Sequence, residues 1–129
     1  MYAGIDFSMS CPGISLWDPE DGVFCFNNCQ HFYLTSTKKY VGRFNGNCWG
    51  DFHQEFNSDE ERFVNIRNWY TAVLKGVNHV WLEGYSMGSK GKIFNIAENT
   101  GLLKNWLHEN DIKFETPAPT AIKKFAAGS

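Results

Sequence analysis

No apolar stretch in this chain approaches the roughly 20 residues that a membrane-spanning helix needs. The first residues, MYA, also lack the charged and apolar regions of a signal peptide. A soluble protein of the cytoplasm is therefore expected, with no membrane partner. A positive balance is missing as well: the net charge is −2, which argues against an indiscriminate nucleic-acid binder. The four cysteines, Cys11, Cys25, Cys29 and Cys48, have no secretory context that would invite disulfides. With His31 and His53 they offer permissible zinc ligands, but the spacing fits no standard finger, and free thiols are expected. His31, His53, His79 and His108 show no spacing of a catalytic pair, and Ser8, Ser10 and Cys11 have no visible base and orienter for acyl transfer.

What remains is ordinary globular composition. With 43% hydrophobic and 20% charged residues over 129 positions, the chain can bury one real core and is too short for two ordinary domains. Charge is unevenly spread. Residues 1–83 carry 6 Lys and Arg against 10 Asp and Glu, whereas residues 84–129 carry 6 against 4, so a phosphate-binding face is expected in the second part.

Two apolar runs each deliver a carboxylate. Residues 2–8, YAGIDFS, place Asp6 in the middle of what reads as a buried strand, and residues 77–83, VNHVWLE, end in Glu83. An aspartate in a buried strand costs several kcal/mol without compensation. If the two strands lie side by side, Asp6 and Glu83 face each other at their C-terminal ends, an arrangement that a divalent cation tolerates best.

Around these runs the pattern predicts three antiparallel strands, at residues 2–8, 13–17 and 23–26, the last following the turn signal DPEDG. Residues 27–56, rich in aromatics, Asn and Gly, read mainly as a surface loop with a further strand possible over 31–34. Ser58 and Glu61 form a capping box, and Phe63, Ile66, Trp69, Tyr70 and Val73 recur at helical spacing, which predicts a helix over 59–75. The strand over 77–82 follows, then a small, basic stretch, a helix over 93–109, a strand over 112–115, and a last helix over 121–125 that Thr120 can cap. Strand, helix and strand in this order suggest parallel pairing through a crossover. The expected fold is α/β, with a five-stranded mixed sheet flanked by helices in a single domain over 1–129.

That order, with carboxylates on the first and fourth strands, resembles the ribonuclease H-like fold. Within it the chain looks like the RuvC-type Holliday junction resolvases, particularly the phage-encoded branch. The residues that carry the resemblance are GIDFS at 4–8, LEGYSMG at 82–88 and APTAIKK at 118–124 followed by Gly128. The resemblance implies a metal-dependent endonuclease that cuts four-way junctions or other branched DNA, with Asp6 and Glu83 as ligands of catalytic Mg2+ or Mn2+. It further implies phosphate contacts at Lys90, Lys92, Lys123 and Lys124, and an aromatic wedge for which Tyr85 is the candidate, Ser86 standing at the aligned position. A homodimer is expected, because a four-way junction offers two equivalent strands to cut. Members of the family continue into a final helix with one or two more acidic ligands. Glu98, Glu109, Asp111 and Glu115 are not expected to reach the site, so a truncated and weakly active nuclease domain is expected. The rival reading is a non-catalytic module for branched or single-stranded DNA.

Overall fold

A computed structural model describes residues 1–83 and 93–117 of the chain. Their fold is α/β, built on one mixed sheet of seven strands. In chain order these are β1 (Tyr2–Asp6), β2 (Gly13–Trp17), β3 (Cys29–Thr35), β4 (Gly42–Phe44), β5 (Cys48–Phe52), β6 (His79–Leu82) and β7 (Lys113–Glu115). Two α-helices are present among the described residues, α1 (Asp59–Val73) and α2 (Ile93–Glu109). Across the sheet the order is β4-β5-β3-β2-β1-β6-β7. Strand β2 runs antiparallel to both β1 and β3, whereas β1 with β6, β6 with β7 and β3 with β5 pair parallel.

The strands alternate, and the alternation assigns the faces. Ala3 and Ile5 of β1, Ile14 and Leu16 of β2, and Val80 and Leu82 of β6 are buried and point to one side. There they meet Phe63, Ile66, Trp69 and Tyr70 of α1 and Leu103 and Leu107 of α2 in one hydrophobic cluster. At about 1.5 to 3 kcal/mol for each fully buried large side chain, this cluster is the main source of stability. Both described helices thus cover the same face.

Helix α1 starts where the capping box predicts. Ser58 is extended and its Oγ accepts the Glu61 N–H at 3.1 Å, while a Glu61 carboxylate oxygen accepts the N–H of Asn57 at 3.4 Å. The return bond therefore lands one residue before the cap. Gly76, at φ 86°, then turns the chain toward β6 in the left-handed region that glycine occupies without steric cost.

The sheet has seven strands where five were expected. The third strand is Cys29–Thr35, not residues 23–26: the chain instead turns through a short 3-10 segment at Phe26–Asn28, and Phe24 packs edge-on against Trp17 at 5.6 Å. The stretch 27–56, expected as mostly loop, supplies β3, β4 and β5. Its hairpin turns at Asn45 and Gly46, both with positive φ (53° and 78°), a pair of residues suited to the tight turns that join antiparallel strands. Its far end is tied to the loop between β1 and β2 by the His53 ring, whose Nε2 lies 2.7 Å from the Ser10 carbonyl.

Candidate active site

The parallel pairing of β1 with β6 sets the site. Tyr2 pairs with His79, Ala3 with Val80, Gly4 with Trp81 and Ile5 with Leu82, and the Glu83 N–H donates to the Ile5 carbonyl at 3.0 Å. One step further in the same register stand Asp6 and Glu83, so the two carboxylates are lateral neighbours at the C-terminal ends of their strands. The expected juxtaposition is present, but its surroundings differ from expectation. Asp6 is exposed and Glu83 half-buried. Ile5 and Phe7 take the core positions, and strand alternation turns Asp6 to the face without the described helices. The burial cost argued for a buried aspartate therefore does not arise.

That open face is a trough of about 1190 Å3. Its floor is made of small residues, Gly4, Gly13 and Ser15, and its sides include Tyr2, Trp17, Tyr33 and Trp81. A methyl group added at Gly4 would meet no atom within 4 Å, so the space there is real. Tyr2 packs between Trp17, at 5.5 Å, and Trp81, at 5.7 Å and nearly parallel. Asp6 and Glu83 both line the trough.

Two polar constellations in the trough escaped the sequence reading. Ser15 and His31 are directly opposed across β2 and β3, with Oγ 2.7 Å from Nδ1. The other ring nitrogen, Nε2, lies 3.2 Å from the Phe26 carbonyl, an acceptor only, so in the neutral ring Nε2 carries the proton and Nδ1 accepts from Ser15. The second is Glu115, set aside from sequence as too remote. It lines the trough, accepts the Trp81 indole N–H at 2.7 Å and stands 3.3 Å from His79 Nε2. In both cases the partners lie on different strands, and only the register reveals them.

The remaining predicted site residues, Tyr85, Ser86, Lys90, Lys92, Lys123 and Lys124, lie outside the described residues, as does the helix expected over 121–125. All four cysteines are unbridged. Cys29 is buried, and burial, with Cys25 nearby, pushes its thiol pKa above the ordinary value. Among the described residues no three His, Cys, Asp or Glu side chains converge as a metal-ligand set, so the Asp6–Glu83 pair stands as two donors. No helix among them is long and apolar enough to cross a membrane.

The chain matches no protein-family model and no curated protein sequence.

Proposed function

We propose that this chain is a divalent-metal-dependent endonuclease of branched DNA, built on a ribonuclease H-like core and related to the RuvC-type Holliday junction resolvases. The observation that carries the reading is the pair Asp6 and Glu83, brought together at the ends of adjacent parallel strands and open to a trough large enough for a nucleotide strand. The fold proposal is supported by the central strand order β3-β2-β1-β6-β7, with β2 the antiparallel member; β4 and β5 extend that core at one edge.

The donor set suits a hard cation. Two carboxylates side by side supply oxygen ligands of the kind Mg2+ and Mn2+ take, and Mg2+ characteristically uses one or two carboxylates and fills its remaining positions with water and substrate phosphate. A bound Mg2+ supplies an activated water and charge stabilisation at the phosphate. The protein's own contribution is orientation. Asp6 and Glu83 are fixed by a hydrogen-bonded ladder, so their separation is set by the sheet and not by a loop. The Mg2+ would be held in a trough whose lining also includes the Ser15–His31 pair and the Glu115 carboxylate. Dimer formation and phosphate contacts from Lys90, Lys92, Lys123 and Lys124 belong to this proposal.

The test is cleavage of a labelled four-way DNA junction with Mg2+ or Mn2+, comparing the wild type with Asp6→Asn and Glu83→Gln. Metal-dependent cutting that either substitution abolishes is the expected result. Cutting that survives both overturns the assignment of the pair. A second reading, a module that binds branched or single-stranded DNA without cutting it, is favoured by the count of two converging ligands among the described residues. Junction binding without cleavage by any form would select it.

A further inference from the structure

The stretch 27–56 contributes an edge to the sheet whose chemistry differs from the rest of the chain. From residue 22 to residue 50 there is no Asp or Glu, while Lys38, Lys39 and Arg43 fall in the middle of the stretch. Every residue from 36 to 46 is exposed. Large apolar groups share that exposure: Tyr40 is 50% exposed and Phe44 39%, and Phe52 on the neighbouring strand is 41% exposed. Lys39 sits over the Tyr40 ring at 5.0 Å. Arg43 lies over Trp49 at 5.4 Å and donates twice to the Gly46 carbonyl, so it also braces the hairpin. Cations interleaved with exposed rings, on a protein whose overall charge is negative, suit a polyanion that also carries flat faces to stack.

The register connects this edge to the carboxylates. Asp6 pairs with Gly13, Gly13 with Tyr33, Tyr33 with Gly50 and Gly50 with Gly42. A single row therefore runs across the sheet from Glu83 and Asp6 to β4, and three of its positions have no side chain. Nothing lies within 4 Å of a methyl added at Gly42, and at Gly13 only the Phe32 carbonyl does, at 3.8 Å, whereas Gly50 is buried under the Tyr33 ring and the Tyr40 carbonyl, so the row is covered between Gly13 and Gly42. Tyr33, the one large side chain between Asp6 and β4, lies against Gly50 and is held by its hydroxyl, which donates to the Tyr40 carbonyl at 2.7 Å. Four inter-strand steps separate β1 from β4, roughly 19 Å at about 4.8 Å each. That is about six nucleotides of a helical strand at about 3.4 Å apiece.

We infer that the edge formed by residues 36–46 is a nucleic-acid anchor: Lys38 and Lys39 hold the phosphates of a single strand and Tyr40 and Phe44 stack on its bases, on the same sheet that carries Asp6 and Glu83. The inference rests on the reading of the site as a DNA-processing one, and it can fail separately from it. Stacking on aromatic side chains is tolerant of sequence, and phosphate contacts are salt-sensitive, so the anchor is a sequence-blind grip.

The test is binding of a fluorescein-labelled oligothymidylate by anisotropy, in EDTA so that no cleavage occurs, over a series of salt concentrations. The double variant Lys38→Gln, Lys39→Gln is compared with the wild type and with Lys75→Gln, an exposed lysine just past α1. Loss of two single-strand phosphate contacts should lower the slope of log affinity against log salt by about 1.4, so that between about 50 and 200 mM salt the variant loses about sevenfold less affinity than the wild type does. Lys75→Gln should keep the wild-type slope, and Tyr40→Ala should weaken binding at every salt concentration without changing the slope. A double variant with the wild-type slope, or a chain that does not bind the oligonucleotide, overturns the anchor. A lowered slope in a protein that cuts no junction with Mg2+ keeps the anchor and removes the nuclease assignment.

Discussion

Substituting Asp6 by Asn should stabilise the protein in EDTA and destabilise it relative to wild type in Mg2+. Asp6 and Glu83 occupy lateral positions on adjacent strands, where cross-strand side chains approach to about 5 Å. Two like charges at that distance, in the high effective dielectric of an open face, repel by about 1 kcal/mol. Asn is nearly isosteric with Asp and removes the repulsion, so in EDTA the variant should melt about 4 °C higher for a chain of this size. Metal reverses the order. A site with a dissociation constant of about 1 mM, offered about 10 mM Mg2+, stabilises the native state by about 1.4 kcal/mol, and the variant forfeits most of that gain. The assay is thermal unfolding followed by circular dichroism in EDTA and in Mg2+ at matched ionic strength. The signature is a crossing of the two melting temperatures. Equal responses of both proteins to Mg2+ would show that the pair does not hold the ion, and a variant no more stable than wild type in EDTA would refute the proposed repulsion.

Gly50→Ala should cost about 1 to 3 kcal/mol, because the new methyl collides with the Tyr33 ring and the Tyr40 carbonyl; Gly4→Ala, which meets open space, should lie well below that in the same urea titration. Ser58→Ala should cost about 1 kcal/mol by removing the acceptor for the Glu61 N–H, read from the denaturant midpoint at unchanged slope. Tyr70 carries a buried hydroxyl without a partner among the described residues, and burial pushes its pKa up to about 12. Unfolded tyrosine ionises near pH 10, so between about pH 10 and 12 the unfolded chain releases this proton while the native state keeps it, and stability falls as pH rises through that window. Tyr70→Phe should be no less stable than wild type at about pH 8 and should gain on it above about pH 10, as judged by urea midpoints at the two values. An unchanged difference between the proteins across that range would contradict the raised pKa.

The carboxylate pair was legible because it depends on local patterns. Two short apolar runs each carry one acid, and a well-capped helix leads into the second, so parallel pairing of the two strands was expected, and that pairing brings the strand ends together. Helix α2 has the same limits in sequence and structure, since Ile96, Leu103, Trp106 and Leu107 keep helical spacing throughout. The third strand was misplaced because residues 23–26 are as apolar as a strand should be, yet they follow the turn too closely, and Phe24 spends its ring on Trp17 and Phe26 on His31. Strand β3 has aromatic residues directed to both faces, Phe32 toward the core and Tyr33 toward the trough, so it shows no alternation to read. The Asn45-Gly46 pair was the available signal for the β4–β5 hairpin. Ser15, His31 and Glu115 had no such signal, because their meeting depends on register between strands 16 to 34 residues apart.

Strand β5 lies between β3 and β4, although β4 is made first. The edge of β3 therefore has no lasting partner until residue 52 has been synthesised, and β4 has nothing to pair with before then. On the ribosome, β1, β2 and β3 would form a three-stranded meander with a bare aromatic edge for the time it takes to add 17 residues. In that interval the nascent chain is open to pairing with another copy of itself, and the late arrival of β5 is the step that closes it.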